Sequence, residues 1–413
     1  MELLESTHIF WAITAILLFN FILSRALDFL NDSRKKPELP KEAEGIYNAE
    51  QYANWLAYDR AKGRLGIISS VMSLIGIVLL LFMGGFQWLN QQLLLVSSHP
   101  IVLALLFFGS LGLVSGILSL PLSWYSTFVV EERFGFNRTT PKTFWLDRIK
   151  GGIMSALLGG GLMALIMVIW LNTGDWFWWL AWACTTVVSV FMAMFYTSLI
   201  MPLFNKLTPL EYGPLRTAIE AYCQKENFGL KNLMVMDGSK RSSKANAFFS
   251  GLGPRKKIVL FDTLIEKHTI DEVVAVLAHE VGHYKKKHTL SSMVIGIAQM
   301  GLTFWVLSLV LTYPAFSEAL GTEGTSFHIG LVVFGLLYSP LSTAMGYAVN
   351  SWSRRNEFQA DAFAKSTADG EALETALTKM SVDQLSNLNP HPAYVAFYYS
   401  HPPLLQRLAA LRQ

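Results

Sequence analysis

Apolar residues along this chain gather into long runs, with polar and charged residues confined to the segments between them. Seven runs are long enough to cross the ~30 Å core of a bilayer, which takes about 20 helical residues. They cover 9–24, 65–86, 101–122, 151–171, 177–203, 289–313 and 328–350. The first is short, and Arg25 at its end is placed to snorkel to the interface and extend it. None of the seven holds Asp, Glu, Lys or Arg in its interior. Ion-coupled pumps keep ionisable groups within the membrane, so that class is disfavoured. The Ser, Thr and Asn that remain suit interhelical packing or a hydrated cavity equally well.

The connecting segments alternate in charge. Segment 25–64 carries Arg25, Arg34, Lys35, Lys36, Lys41, Arg60, Lys62 and Arg64, and 87–100 carries no Lys or Arg. A basic loop with Arg133, Arg138, Lys142, Arg148 and Lys150 precedes the uncharged-by-cation turn Asn172–Asp175. Segment 204–288 is basic, 314–327 has no Lys or Arg, and the tail after 350 is basic again. By the positive-inside rule the N-terminus is expected outside, and the C-terminus and segment 204–288 in the cytosol. The opening MELLESTH lacks a basic n-region, so the first apolar run is expected to be retained.

Composition agrees with this pattern. Of 413 residues 52% are hydrophobic and 15% charged, against about 25% charged in soluble domains. A net charge of +3 is too small to suggest nucleic acid. Cys184 and Cys223 are too few for a disulfide framework and read as packing residues.

Segment 204–288 reads as a compact α+β unit. PLRTAIEAYCQKENF has helical periodicity ending near Gly229, and LMVMD (233–237) is a strand candidate. ANAFFSG and KKIVLFD, joined around Gly251-Leu252-Gly253-Pro254, read as a hairpin. Thr269 and Glu272 have the spacing of a capping box, with Thr269 as N-cap. The helix they open contains His279-Glu280-Val281-Gly282-His283.

On a helix, His279 and His283 are one turn apart on a shared face. Two imidazoles so placed can bind one Zn²⁺, with Glu280 beside them to handle a water. Catalytic zinc takes three protein ligands, and Glu357 in SRRNEFQADAFAK is the expected third. If the HEVGH helix runs on into the sixth span, it covers about 45 Å from His283 to Tyr313. The seventh, from His328 to Glu357, covers about 44 Å and returns Glu357 to the height of His283, with a kink expected at Pro340. Asp361, one turn past Glu357, is placed to hydrogen-bond a ligand histidine. His288, nearby, is read as an interfacial residue rather than a ligand.

At these residues the chain resembles the type I CAAX prenyl protease family of integral-membrane zinc metalloproteases. The resemblance extends to FVVEERFGFNRTTPKTF (128–144), GSKRSSKANAFFSGLG (238–253) and SHPPLLQRLAAL (400–411). It implies a mainly α, polytopic fold: seven transmembrane helices around a water-filled chamber, with a small cytosolic α+β zinc-protease domain. The expected organisation is helices one to five in 1–203, with cytosolic loops 25–64 and 131–150. The α+β domain follows in 204–288, helices six and seven in 289–350, and cytosolic helices with the third ligand in 351–413. By resemblance one Zn²⁺ per chain is held by His279, His283 and Glu357, and Glu280 is the general base. Asn246 meets substrate at an edge strand, while His401 and Arg407 face the site as catalytic residues, with His401 the expected oxyanion donor and Arg407 supporting the site or binding a substrate carboxylate. Lys244-Ala245-Asn246 departs from the His-Ser-Asn common in eukaryotic relatives, leaving side-chain contacts at 244 open.

The implied activity is endoproteolysis near the C-terminus of CAAX-type, prenylated substrates, with peptide or protein substrate and membrane lipids as partners. Two other readings stay open: a general quality-control protease of membrane or misfolded proteins, and a non-enzymatic zinc-stabilised scaffold or transporter. The short loops suggest a bacterial member in the inner membrane; a eukaryotic one would sit in the endoplasmic reticulum membrane.

Overall fold

The structure, a computed structural model, describes residues 5–229, 232–250 and 257–413. The first part is helical: α1 (Ser6–Asp32), α2 (Ala49–Phe82), α3 (Gly85–Leu94) and α4 (Pro100–Tyr125), which continues through a π-helical turn at Ser126–Glu131. Next come α5 (Pro141–Met154), a π-helical turn at Ser155–Gly159, α6 (Gly160–Thr173) and α7 (Phe177–Leu199). With the later helices, five helical runs among the described residues are long and apolar enough to cross a membrane, or six when one bent pair is counted. The protein is an integral multi-pass membrane protein.

Helix α3 lies in the segment expected to be a plain loop. Gly84 (φ +65°) reverses the chain after α2, and Phe86 and Asn90, one turn apart, bury one face of the new helix. Asn90 Oδ1 lies 2.7 Å from Nε2 of buried His328.

The sheet-bearing layer holds β1 (Leu207–Pro209), α8 (Pro214–Lys225), β2 (Asn232–Met236), β3 (Ala247–Ser250) and β4 (Lys257–Phe261). Strand order is β1-β2-β4-β3, with β2 and β4 parallel and the outer pairs antiparallel. The expected hairpin is present as β3 against β4, Ala247 opposite Leu260; its proposed turn, Gly251 to Pro254, lies outside the described residues. Ile258, Val259 and Leu260 are buried on both faces of the sheet, as a central strand requires. β3 is left at the edge.

After β4 come α9 (Asp262–Lys267) and α10 (Ile270–Lys285). The capping box is present: the Thr269 hydroxyl accepts from the Glu272 N–H and the Glu272 carboxylate accepts from the Thr269 N–H, both at 3.3 Å. Glu272 also accepts from Lys379 Nζ (2.6 Å) and pairs with His268 Nδ1 (2.9 Å). Burial alone would raise its pKa, but these bonds outweigh it and hold the carboxyl below its ordinary value. A depressed carboxyl stabilises above its unfolded pKa and loses that contribution as pH falls through the folded one. Glu272→Gln is therefore expected to cost about 1–3 kcal/mol at neutral pH. Thermal melts of wild type and variant in detergent should converge only as pH falls through that depressed pKa, below the ordinary carboxylate value.

The chain ends with α11 (His288–Thr312), α12 (Pro314–Glu318), α13 (Phe327–Leu337), α14 (Ser339–Thr367), α15 (Gly370–Asp383), α16 (Pro392–Tyr398) and α17 (Leu404–Arg412). One hydrophobic core joins Tyr52 and Trp55 of α2, Ile219 of α8, Leu264 of α9, Leu277 of α10, Leu373 of α15 and Leu408 of α17. The sheet-bearing layer is thus assembled from three separated stretches of sequence.

Two expectations about the last spans meet different outcomes. The HEVGH helix does not run on into the sixth span: Lys286 and Lys287 donate back to Gly282 and Tyr284 carbonyls, and Lys287 turns left-handed (φ +60°) before α11 begins. The helix pair covering the run expected as the seventh span is bent as expected, by 53° between α13 and α14. Pro340 has no N–H for the Leu336 carbonyl four residues back, and Ser339 Oγ donates to that carbonyl instead (3.3 Å).

Packing within the membrane layer is uneven. A core around Phe107, Met167, Ala181 and Ile329 joins α4, α6, α7 and α13. Further along α4, all residues from Gly112 to Ser119 are exposed. A Cβ added at Gly109, Gly112 or Gly116 would meet nothing within 4 Å. Small residues at this spacing commonly seat a neighbouring helix; here they face open space.

Candidate metal centre

α10 and α14 lie against each other, and they approach closely at Gly282. A Cβ there would fall 3.1 Å from both Cα and O of buried Ala360. The missing side chain lets the two backbones close on each other, so the short carboxylate arm of Glu357 reaches the histidine face of α10.

Nε2 of His279 and Nε2 of His283 are 3.1 Å apart. Glu357 places Oε1 at 3.3 Å from His283 Nε2 and Oε2 at 3.5 Å from His279 Nε2. A tetrahedral ion with bonds of 2.0–2.1 Å has ligand-to-ligand edges of about 3.3 Å, so the donor separations fit such an ion without rearrangement. Oε2 of Glu357 is buried without a hydrogen-bond partner, as expected of an atom reserved for a metal. Burial disfavours the His279 imidazolium, yet the Asp361 hydrogen bond and the nearby Glu357 carboxylate outweigh it and lift the pKa to about 9. Among the described residues this is the one cluster of three potential metal-binding side chains.

Asp361, expected to orient a ligand, accepts from His279 Nδ1 at 2.8 Å. Arg407 clamps the same carboxylate with Nε (2.8 Å) and Nη2 (2.6 Å). Burial disfavours the Arg407 charge, but the Asp361 bonds outweigh it and hold the guanidinium protonated more firmly than usual. Nη1 is 3.9 Å from Glu357 Oε2. With Nε and Nη2 bound to Asp361 and Nη1 toward Glu357, Arg407 braces the site.

Glu280 follows His279 on α10. Burial is the chief influence on its carboxyl and pushes it above the usual carboxylate range, toward the pH at which a general base works best. His401 is exposed, with Nε2 3.4 Å from Glu357 Oε1 and Nδ1 2.9 Å from Ser400 Oγ. When that hydroxyl donates to Nδ1, Nε2 carries the proton and points it at the centre. Asn246 is exposed at the start of edge strand β3, its carbonyl accepting from Phe261 N–H at 3.0 Å. Lys244 turns away from the metal centre: Nζ reaches the Tyr58 hydroxyl (3.1 Å) and Glu131 Oε2 (3.4 Å) and sits over the Phe136 ring.

His288 corrects its reading as an interfacial residue. It is buried, with Nδ1 3.1 Å from Nδ1 of His283 and Nε2 3.0 Å from Oε1 of Gln359. The break at Lys287 is what brings it back over the site. Neither the break nor the role of Gln359 carried a sequence signal, since no Gly, Asn or Pro marks the turn.

Comparison with known proteins follows the same division of the chain. Residues 30–206 match the family model described as the CAAX prenyl protease N-terminal, five membrane helices, and 209–413 match Peptidase family M48. A CAAX prenyl protease 1 homolog of Oryza sativa subsp. japonica is 37% identical over 97% of this chain and 96% of its own. The CAAX prenyl protease 1 of Saccharomyces cerevisiae is 34% identical over 91% of this chain and 88% of its own. The crystal structure of S. mikatae Ste24p superposes with a TM-score of 0.93 at 32% identity, covering 98% of this chain and 99% of that one.

Proposed function

The chain belongs to peptidase family M48, and from that premise we propose that it is a membrane-embedded zinc metalloendopeptidase cleaving near the C-terminus of CAAX-type, prenylated substrates. One observation carries the reading: three donors from His279, His283 and Glu357 converge, with an unpartnered carboxylate oxygen, beside Glu280. Two His and one carboxylate suit zinc. In this reading His279, His283 and Glu357 hold the ion, Asp361 fixes the His279 ring, and Arg407 holds Asp361.

Bound zinc would supply Lewis acidity and make a neighbouring water acidic near neutral pH. The residues do the rest. Glu280 takes the water proton on its carboxylate and delivers it to the leaving amine. His401 Nε2–H donates to the carbonyl oxygen as charge grows there. Edge strand β3 pairs with the substrate backbone, an unpaired strand being a template for an extended peptide, and Asn246 meets it at the strand's start.

We also propose seven spans. The run Pro141–Leu203 has 63 residues, about 95 Å as helix, some three times the hydrocarbon core. It is therefore read as two spans folded at Gly174–Trp176, and α13 with α14 as one. The unpacked stretch Gly112–Ser119 and its open glycines support a hollow interior between helices. The Lys/Arg alternation supports a cytosolic centre.

The test is cleavage of a farnesylated CAAX peptide by detergent-purified protein. Chelation is expected to abolish cleavage and stoichiometric zinc to restore it, with the unprenylated peptide cut more slowly. Equal cleavage of both peptides would move the biology toward general membrane proteolysis. No cleavage by zinc-loaded protein would sink the protease reading.

A further inference from the structure

The two ligand histidines are held by different chemistry. His279 donates from Nδ1 to a carboxylate, Asp361, which is itself clamped by Arg407. Among the described residues no acid stands at Nδ1 of His283; the buried imidazole of His288 does, at 3.1 Å. Resting on the metal-centre reading above, we propose that His288 and Gln359 form a neutral relay that positions His283 for the metal, a role that makes His288 a positioning residue.

Donor and acceptor chemistry determines every proton in that relay. With Nε2 of His283 turned to the ion, its Nδ1 carries the hydrogen and needs an acceptor. Nδ1 of His288 accepts it, so Nε2 of His288 carries a hydrogen. The atom facing that hydrogen at 3.0 Å is Oε1 of Gln359, an acceptor only. Gln359 thus selects the His288 tautomer, and His288 selects the tautomer and ring plane of His283.

The backbone gives independent support. Continuing α10 would place residue 288 more than a turn past His283 and rotated off its face. Instead Lys287 adopts a left-handed conformation (φ +60°), which costs an L-residue about 1–2 kcal/mol. His288 then opens α11 with its ring stacked edge-on to His283, centroids 5.2 Å apart. Strain kept in a segment that ends on a metal ligand's partner marks a geometry the site requires.

The relay also differs from the Asp361 arm in consequence. A carboxylate partner raises ligand basicity, whereas a neutral imidazole orients without adding charge. Glu357 and Asp361 already bring two carboxylates to the site, one of them answered by Arg407; a carboxylate on His283 would add a further negative charge, which the neutral imidazole does not.

The experiment is zinc competition against a chromophoric chelator, using full-length protein stripped of metal in detergent. His288→Phe, which keeps the ring volume and loses the acceptor, is expected to weaken zinc about 10- to 100-fold. His288→Asn, with an amide oxygen near the Nδ1 position, should recover most of that loss, which a purely volumetric role would not predict. Gln359→Leu should weaken zinc by less than His288→Phe. Binding by His288→Phe within twofold of wild type would overturn the relay while leaving the metalloprotease reading intact. If the Phe variant does not elute as folded protein, the Asn and Leu variants decide: wild-type affinity in Gln359→Leu together with a full loss in His288→Asn overturns it. Failure of wild type itself to bind zinc would overturn the metalloprotease reading, and the relay with it.

Discussion

Glutamine in place of Glu280 is expected to lower kcat for peptide cleavage by about 10²- to 10⁴-fold while leaving one zinc per chain. That range corresponds to about 2.7–5.5 kcal/mol of transition-state stabilisation. Glutamine matches the carboxylate in volume, so packing along α10 is kept. It cannot take a proton at neutral pH, so the step that makes water a nucleophile is lost. The proposed metal donors lie on His279, His283 and Glu357, and none is altered. The prediction is checked by kcat and by metal content on the same preparation. His279→Ala gives the contrasting pattern, with zinc and activity lost together. Cleavage by Glu280→Gln within tenfold of wild type would place the base elsewhere. Unaltered function in a cell depending on this protein, despite lost cleavage, would favour a scaffold.

What could be read from the chain in advance depended on whether each feature is local. The capping box at Thr269 and Glu272 is a four-residue pattern and is present as read. His279 and His283 needed only helical spacing. Glu357 was reached through a premise that fails, since α10 and α11 are separate helices. Its placement survives because Glu357 meets α10 directly, through α14, and α11 does not set that contact. His288 was misread for the same reason: the left-handed residue that redirects it is a lysine, which gives no warning. α3 and β1 went unseen because ten and three residues give too little periodicity. Arg407 was placed at the site by family resemblance alone; its grip on Asp361 depends on two segments 46 residues apart, which no local pattern connects.

Gly282, inside the metal motif, carries the second large effect: Gly282→Val is expected to cost most of the zinc affinity and to destabilise the fold. A Cβ at this position would lie 3.1 Å from Ala360 Cα and O and 3.2 Å from Phe363 Cβ, against about 3.5–4.0 Å for carbon contacts at their optimum. Two of those three atoms are backbone and cannot rotate aside, so α14 must retreat. Gly282→Ala sets two opposing terms against each other. Alanine gains about 1 kcal/mol of helix propensity over glycine, and overpacking costs about 1–3 kcal/mol, leaving a net loss of at most about 2 kcal/mol. Metal binding is less forgiving, because ligand distances hold within about 0.2 Å and any retreat of α14 carries Glu357 away from both histidines. Zinc affinity should therefore fall further than thermal stability in Gly282→Ala, and both should fall in Gly282→Val, whose branched side chain adds two methyls to the same contact. Gly296 supplies the control: it also lies in a helix, but a Cβ there would meet nothing within 4 Å. Gly296→Ala should leave zinc affinity unchanged and the melting temperature equal or higher, so a loss of affinity confined to position 282 would locate the cause in the contact between α10 and α14 rather than in glycine removal as such.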